Sequence, residues 1–306
     1  MPRVSVVIPT YNRAASVGTA IRSVLNQTEH DFEIVVVDDA SADDTEGVVG
    51  RFRDPRVQYV RQPSNLGDAA ARNVGILRSS GPYIAFLDDD DEWLPPKLEL
   101  QTEFLRARGP DVGGVHTARF IVDKGTGEVL DTRLSPEFAP GTISITTSAV
   151  MVRRLCFETL GLFDEGIPFC SDYDMWIRIA ERYRFGYIDS PLVRYSVHTN
   201  RLSCNLEAMS RGEDALLRKH GEFFSADGRR HAKRYLHLGV LYCFNREVGK
   251  GRVAFRKAIA LNPGDPRTYF NLCLSLLGPT AFRKVKQAKE RLFASAAPPA
   301  RRGHNA

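Results

Sequence analysis

The chain has 306 residues, room for one large domain or two ordinary ones, and its 43% hydrophobic and 26% charged residues are those of a soluble globular protein. No apolar run approaches the ~20 residues that a membrane-spanning helix needs. The net charge of +5 is mild and suits an anionic ligand, a nucleic acid or an anionic membrane equally. The five cysteines are odd in number and lack metal-ligand spacing, and Met1-Pro2-Arg3 runs straight into a strand-like stretch without a signal-peptide pattern. The expectation is a cytoplasmic protein with reduced thiols.

Val4-Ser5-Val6-Val7-Ile8 is β-branched and bounded by Pro9, which predicts a strand. Ser16 to Leu25 carries apolar residues at helical spacing (Val17, Ile21, Val24, Leu25). Phe32 to Val37 predicts a second strand, ending in Asp38-Asp39; Ser41 and Asp44 can cap a helix running through Val48 to Phe52. Val57 to Val60 predicts a third strand, Ala69 to Leu77 a helix and Tyr83 to Leu87 a fourth strand. Strands alternating with helices in this way indicate a doubly wound, mostly parallel α/β sheet. Polar clusters follow three of the strands: Pro9-Thr10-Tyr11-Asn12-Arg13, Asp38-Asp39 and Asp88 to Asp91. A shared carboxyl edge would bring them together.

The four consecutive aspartates are the most informative of these clusters. So many adjacent carboxylates repel one another, and a fold tolerates them if they are exposed or if a cation neutralises them. Carboxylate oxygens suit Mg²⁺ and Mn²⁺, which often carry phosphates with them. The alternative is a solvated acidic loop.

Residues 110–150 look less regular. Gly113-Gly114, Lys124 to Gly127 and Pro140-Gly141 punctuate short β-like runs, which predicts a hairpin and loop region. Asp172 to Arg182 predicts a helix, and Ile188 to Val197 a strand. From about Leu206 the composition is helical. Residues 235–242 and 254–263 resemble the two helices of one tetratricopeptide repeat, within about 235–277, with Arg267 to Leu277 covering the second. One repeat cannot stand alone, so this segment should pack on what precedes it. A catalytic domain over 1–205 and a helical region over 206–306 with a basic tail are the expected division.

Five segments together resemble the family 2 glycosyltransferases, in order and with their approximate spacing. They are Val6 to Arg13, Val36 to Ser41, Ala71-Arg72-Asn73-Val74-Gly75, Phe86 to Trp93, and Gly161 to Glu165 followed by Asp172-Tyr173-Asp174-Met175-Trp176. The resemblance covers about residues 3–205. It implies the GT-A fold, a Rossmann-like, mostly parallel sheet, with a small all-α region added here at the C-terminus. It also implies an inverting transfer from a nucleoside diphosphate sugar to a carbohydrate or lipid-linked glycan, with Mn²⁺ or Mg²⁺ as cofactor and no nucleic acid partner. Cell-envelope polysaccharide synthesis is the setting it suggests.

By that resemblance Asp90 is the direct metal ligand, and Asp88 or Asp89 contacts the ribose or a metal-bound water. The run of four acids blurs the register. Tyr11 can stack on the base, and Thr10 and the Pro9 carbonyl can reach its edge. Asp39 can accept from a base N–H or a ribose hydroxyl, with Asp38 capping the turn instead. Arg13 and Arg72 suit the base or the diphosphate, although Arg72 on a surface helix is the alternative. Asn73 is expected to hold a loop. Asp172 stands where the family carries its base, although many members have Glu-Asp and this chain has Ser171-Asp172. Asp172 could instead be a helix N-cap, and Asp174 is the competing acid. His198 can complete a metal shell or serve as a loop histidine, and Arg201 can close over the diphosphate.

A nucleotide-dependent oxidoreductase is excluded, because its Gly-x-Gly-x-x-Gly turn should follow the first strand and no glycine occurs there until Gly18. A non-catalytic scaffold built on the helical repeat is the other rival, and it predicts a degraded site. The Gln-x-x-Arg-Trp pattern of processive synthases is absent, which implies single-residue transfer. Last, residues 281–293 place Phe282, Val285, Ala288, Leu292 and Phe293 on one helical face and Lys and Arg on the other. Such a helix suits peripheral contact with an anionic membrane, or packing on the repeat.

Overall fold

The computed structural model describes residues 1–133, 138–139, 142–143, 145–197 and 205–286. The chain opens with β1 (Val4–Thr10), α1 (Val17–Leu25), β2 (Phe32–Asp38), α2 (Thr45–Gly50), β3 (Val57–Arg61), α3 (Asp68–Arg78) and β4 (Tyr83–Phe86). It continues through β5 (Glu92–Trp93), α4 (Lys97–Arg106), β6 (Val112–Asp123), β7 (Val129–Arg133), β8 (Phe138–Ala139), β9 (Thr142–Ile143), β10 (Val150–Arg153), α5 (Arg154–Leu160), α6 (Ser171–Arg182) and β11 (Arg184–Val197). The helices α7 (Leu206–Lys219), α8 (Gly221–Ser225), α9 (Gly228–Phe244), α10 (Val248–Leu261) and α11 (Pro266–Leu276) follow.

The main sheet has the order β3-β2-β1-β4-β10-β6-β11-β5, with β7 beside β6. β1, β2, β3 and β4 are mutually parallel, and β10 enters antiparallel to β4 and β6. From β1 the chain steps outward through β2 and β3, then returns to put β4 on the other side of β1. The strand order therefore reverses between β1 and β4. At such a switch the adjoining loops diverge and leave a crevice at the carboxyl ends, where open α/β sheets bind ligands.

Both faces of this sheet are covered, which is why β1, β2 and β4 are nearly continuous apolar runs. Alternation along β1 sends Val4, Val6 and Ile8 into one core with α1 and α4, and Val7 into the other with Phe86, Phe163 and Trp176. Phe86 meets Phe163 edge-on at 5.4 Å, and Phe163 meets Trp176 at 5.9 Å. Aromatic pairs in this geometry contribute about 0.5–1.5 kcal/mol each beyond burial. They fix the 161–165 loop and α6 against the sheet.

The irregular region expected over 110–150 is corrected by β6, a 12-residue strand in the interior of the sheet. Gly113-Gly114 makes no turn. A Cβ on Gly114 would lie 2.6 Å from the Phe185 ring, so glycine there permits close approach of β11. The turn signal at 124–127 does operate, since the Gly127 N–H donates to the Asp123 carbonyl at 2.8 Å between β6 and β7.

The C-terminal helices share the core of the sheet. Leu216, Leu217, Phe224, Leu238 and Tyr242 belong to the same buried cluster as Phe86, Val152 and Trp176. Helical structure also spans 278–286. There Phe282 is fully buried, 6.1 Å from Phe244 and 6.3 Å from Phe255. This side chain of the predicted membrane-facing stripe is thus used in packing; Ala288, Leu292 and Phe293 lie outside the described residues. Among the described residues no helix is long and apolar enough to cross a membrane.

Candidate active site

Three strand ends build one edge. After β1, Asn12 adopts φ 52° and locks the loop to the next strand end: its N–H donates to Ser41 Oγ at 2.8 Å, and its Oδ1 accepts the Ala42 N–H at 2.7 Å. That leaves Tyr11 46% exposed at the mouth of the crevice, with Pro9 and Thr10 buried behind it. After β2, the fully buried Asp38 accepts from the Ser41 N–H at 2.8 Å and from Arg61 at 3.0 Å. Asp38 is therefore the turn-holding residue. Asp39 accepts from Gln62 Nε2 at 2.6 Å, the Leu66 N–H at 2.7 Å and the Gly67 N–H at 2.8 Å. Its carboxylate fastens the loop that enters α3, which leaves room for about one further donor.

After β4, the four aspartates separate into different environments. Asp91 is buried, accepting from Ser148 Oγ at 2.7 Å and from the Ser196 N–H at 2.9 Å. Burial, then the charges of Asp88 and Asp90, push its carboxyl well up. Asp89 is also buried and pairs with Arg13 at 3.8 Å; burial and its acidic neighbours push it up to about 7, against the pull of Thr10 and Arg13. Asp88 receives Arg72 Nη2 at 3.1 Å. Asp90, half-buried, lines a cavity of about 220 Å³ together with Ser16, Thr19, Glu92, Lys124 and Arg194.

Arg72 joins this end of the site to the other. It is 6% exposed, so it is no surface-helix residue, and it also donates to Asp68 at 2.7 Å one helical turn away. Three carboxylates, Asp68, Asp88 and Asp172, raise its pKa against the burial that would lower it. Asn73 beside it holds the 161–165 loop: it donates to the Phe163 carbonyl at 3.0 Å and accepts the Phe163 N–H at 2.9 Å.

Asp172 is the second residue of α6, whose N-cap is Cys170, so the capping alternative does not apply. Its Oδ2 accepts from Thr147 Oγ1 at 2.9 Å and its Oδ1 from the Tyr173 N–H at 2.7 Å. Burial raises its carboxyl above the ordinary aspartate range, against the charge of Arg72 and the Thr147 hydrogen bond. A carboxylate raised in this way is a better proton acceptor than a free aspartate. Asp174 has the opposite environment. It is fully buried, yet it receives His220 Nε2 at 2.7 Å, Lys219 Nζ at 2.9 Å and Arg178 Nε at 2.9 Å. Burial alone would raise it, but these donors hold it at about 2. A carboxylate so stabilised is a poor base.

The sequence profile of glycosyl transferase family 2 matches residues 5–178. The chain belongs to that family. Uncharacterized glycosyltransferases of Rickettsia bellii (strain RML369-C) and Rickettsia conorii are 37% and 35% identical over 64% and 65% of this chain, which covers 29% and 34% of those proteins. The chain thus spans about a third of the length of these curated relatives. A putative teichuronic acid biosynthesis glycosyltransferase of Bacillus subtilis, TuaG, is 40% identical over 35% of this chain and 43% of its own length. In shape the chain is similar to S. aureus TarS 1-349 in complex with UDP-GlcNAc, at TM-score 0.65 and 18% identity over 95% of this chain and 92% of that one. It is also similar to the mannosyltransferase PcManGT of Pyrobaculum calidifontis in complex with GDP-Man and Mn²⁺, at TM-score 0.59 and 18% identity over 96% and 86%. At such identities the likeness concerns the fold, which is GT-A.

Within this family 2 member, the predicted donor-side residues meet at the β1/β4 crevice, and Asp172 faces them through Arg72. His198 and Arg201 lie outside the described residues. Among the described residues no three His, Cys, Asp or Glu side chains cluster as a complete metal cage. A small hard cation does not require one, because it takes one or two carboxylates, phosphate oxygens and water. One half-buried carboxylate on a cavity wall, Asp90, fits that need.

Thr147 and Ser148 were not anticipated. They reach the edge because β10 runs antiparallel to β4, which puts its entry beside the exit of β4. Ser148 bridges two aspartates, accepting from the Asp88 N–H at 3.1 Å while donating to Asp91. No local signal in the sequence marks them. Asp68 was not anticipated either, although a local signal existed, since it stands four residues before Arg72 on one helix face.

The Asp174 cluster makes a stability prediction. A carboxyl held near 2 contributes stability that is present above the unfolded aspartate value and lost as pH falls through the folded one. Asp174→Asn should therefore cost about 2–4 kcal/mol at pH 7, because Arg178 and Lys219 lose the buried carboxylate that they share. Urea titrations at intervals from pH 6 to 2 check this. The gap between wild type and variant should close between about pH 4 and 2, and a constant gap would contradict the assignment.

Proposed function

We propose that this chain transfers single sugar residues from a nucleoside diphosphate sugar to a carbohydrate or lipid-linked glycan hydroxyl, with inversion at the anomeric carbon and with a divalent cation. The observation that carries this is the placement of Asp88, at the head of the acidic run, and Asp172 on either side of buried Arg72, with half-buried Asp90 two residues further along the run. Tyr11 offers a stacking face to the base, and Asp39, with Asp88 or Asp89, accepts from base or ribose donors. Arg13 and Arg72 offset charge on the diphosphate. A divalent cation held at Asp90 would stabilise the negative charge that grows on the leaving diphosphate. Asp172 takes the proton of the attacking hydroxyl. No separate nucleophile is needed, so attack opposite the leaving group inverts the centre. The teichuronic acid biosynthesis in the description of TuaG favours a cell-envelope glycan, and the ligands of TarS and PcManGT make UDP-GlcNAc and GDP-Man the first donors to try.

A panel of nucleotide sugars tested for melting-temperature shifts with Mn²⁺ present checks this directly. A true donor at 100 times its Kd adds about 2.7 kcal/mol of stability. One member of the panel should raise the melting temperature and be turned over. No shift and no turnover across UDP-, GDP- and TDP-sugars would sink the proposal.

A further inference from the structure

The C-terminal helices converge on one short piece of the α/β unit, the entry to α6. Gly212 of α7 lies so close that a Cβ there would be 1.9 Å from the Pro168 carbonyl oxygen and 3.3 Å from the Cys170 nitrogen. Arg234 of α9 stacks its guanidinium on the Tyr173 ring at 4.6 Å, and is itself held by Glu213 of α7 at 3.1 Å. At the end of α7, His220 and Lys219 grip the buried Asp174 carboxylate at 2.7 and 2.9 Å. Lys219 also reaches Asp164 at 2.6 Å, and Arg178 ties Asp174 to the Leu160 and Leu162 carbonyls at 2.8 and 2.7 Å. Positions 170, 173 and 174 are thus clamped from the C-terminal side, and position 172, between them, is turned to Thr147.

We propose that α7 to α9 are a built-in brace for the catalytic base, with His220 as a positioning residue that fixes Asp172 by holding Asp174. The physical reason is the local geometry of a helix start. The first turn lacks half of its intrahelical hydrogen bonds and frays readily. A base must stay within hydrogen-bond reach of the proton it takes, and a displacement of about 1 Å can cost ~10²-fold in rate. Hydrogen bonds from His220 and Lys219 to the buried Asp174 carboxylate remove that freedom without touching substrate. The brace therefore governs the chemical step and leaves donor binding, at the ends of β1, β2 and β4 and at Arg72 of α3, unchanged.

This rests on Asp172 as the base, and the test separates the two ideas. His220→Ala and His220→Gln are compared with wild type in the full chain, because the Gln amide can place a donor where Nε2 stands. Hydrogen exchange of the peptide over 168–176 is followed alongside kcat and the donor Kd. The brace predicts at least ~10-fold faster exchange of that peptide in His220→Ala, with strands β1 and β4 unchanged. It predicts kcat down ~10-fold or more, donor Kd within about twofold, and recovery of both in His220→Gln. Unaltered exchange over 168–176 in His220→Ala would overturn the brace, whatever the activity. So would a loss of donor binding equal to the loss in kcat. Faster exchange with unaltered kcat would overturn the link to the base alone. If Asp172→Asn proves fully active, the base assignment fails, and the exchange result still decides whether the helices clamp α6.

Discussion

Asp172→Asn should bind the donor as wild type does and transfer it ~10²-fold or more slowly. The substitution keeps size and shape, and the amide oxygen can still accept from Thr147. What disappears is the carboxylate that takes the acceptor's proton. Donor contacts come from the ends of β1, β2 and β4 and from Arg72 of α3, which Asp68 and Asp88 still hold, so calorimetry with the nucleoside diphosphate should give an unchanged Kd. The pH profile adds a second signature. The base must be ionised, and burial raises its pKa, so wild-type kcat should fall on the acid side above the ordinary aspartate range. The residual rate of the Asn variant should lack that limb. Near-normal transfer by Asp172→Asn would move the proton acceptor elsewhere. Asp174 is not the heir, because against its burial the His220 and Lys219 hydrogen bonds and the Arg178 and Lys219 charges hold it at about 2.

Asp90→Ala should lose ~10²–10³-fold in turnover, the scale of removing one group that stabilises developing negative charge. Folding should survive. Asp90 is half-buried on a cavity wall, and its charge raises the carboxyls of Asp89 and Asp91. Removing that charge relieves repulsion within the acidic run. In EDTA the variant should therefore melt at or above the wild-type temperature, while the gain from Mn²⁺ plus nucleotide is lost. A variant that unfolds in EDTA would make Asp90 a structural residue.

The legible part of the fold was the part dictated by local physics. β1, β2 and β4 are buried on both faces, so each reads as an apolar run ended by polar residues, and these strands and the edge strand β3 lie within two residues of their expected ends. The acidic run and Tyr11 stand out because their chemistry is concentrated at those ends, whereas Arg72 and Asp172, on α3 and α6, were candidates through the family resemblance. Beyond residue 110 the local signals mislead. Gly113-Gly114 looks like a turn and is a close-packing site inside β6. Ser148 and Thr147 matter only because an antiparallel strand delivers them, which no window of sequence reports. The clamp on α6 is likewise invisible, because Asp174 and His220 are 46 residues apart and meet only in the fold.

The most direct measurement is release of nucleoside diphosphate from the donor identified by melting shift, in wild type and Asp90→Asn, with Mn²⁺, after EDTA and dialysis, and after Mn²⁺ is restored. Wild type should release it with Mn²⁺, stop after the metal is stripped and recover on its return, while Asp90→Asn stays near background throughout. Full release by stripped wild type, or equal release by Asp90→Asn, would contradict a metal-assisted transferase centred on Asp90.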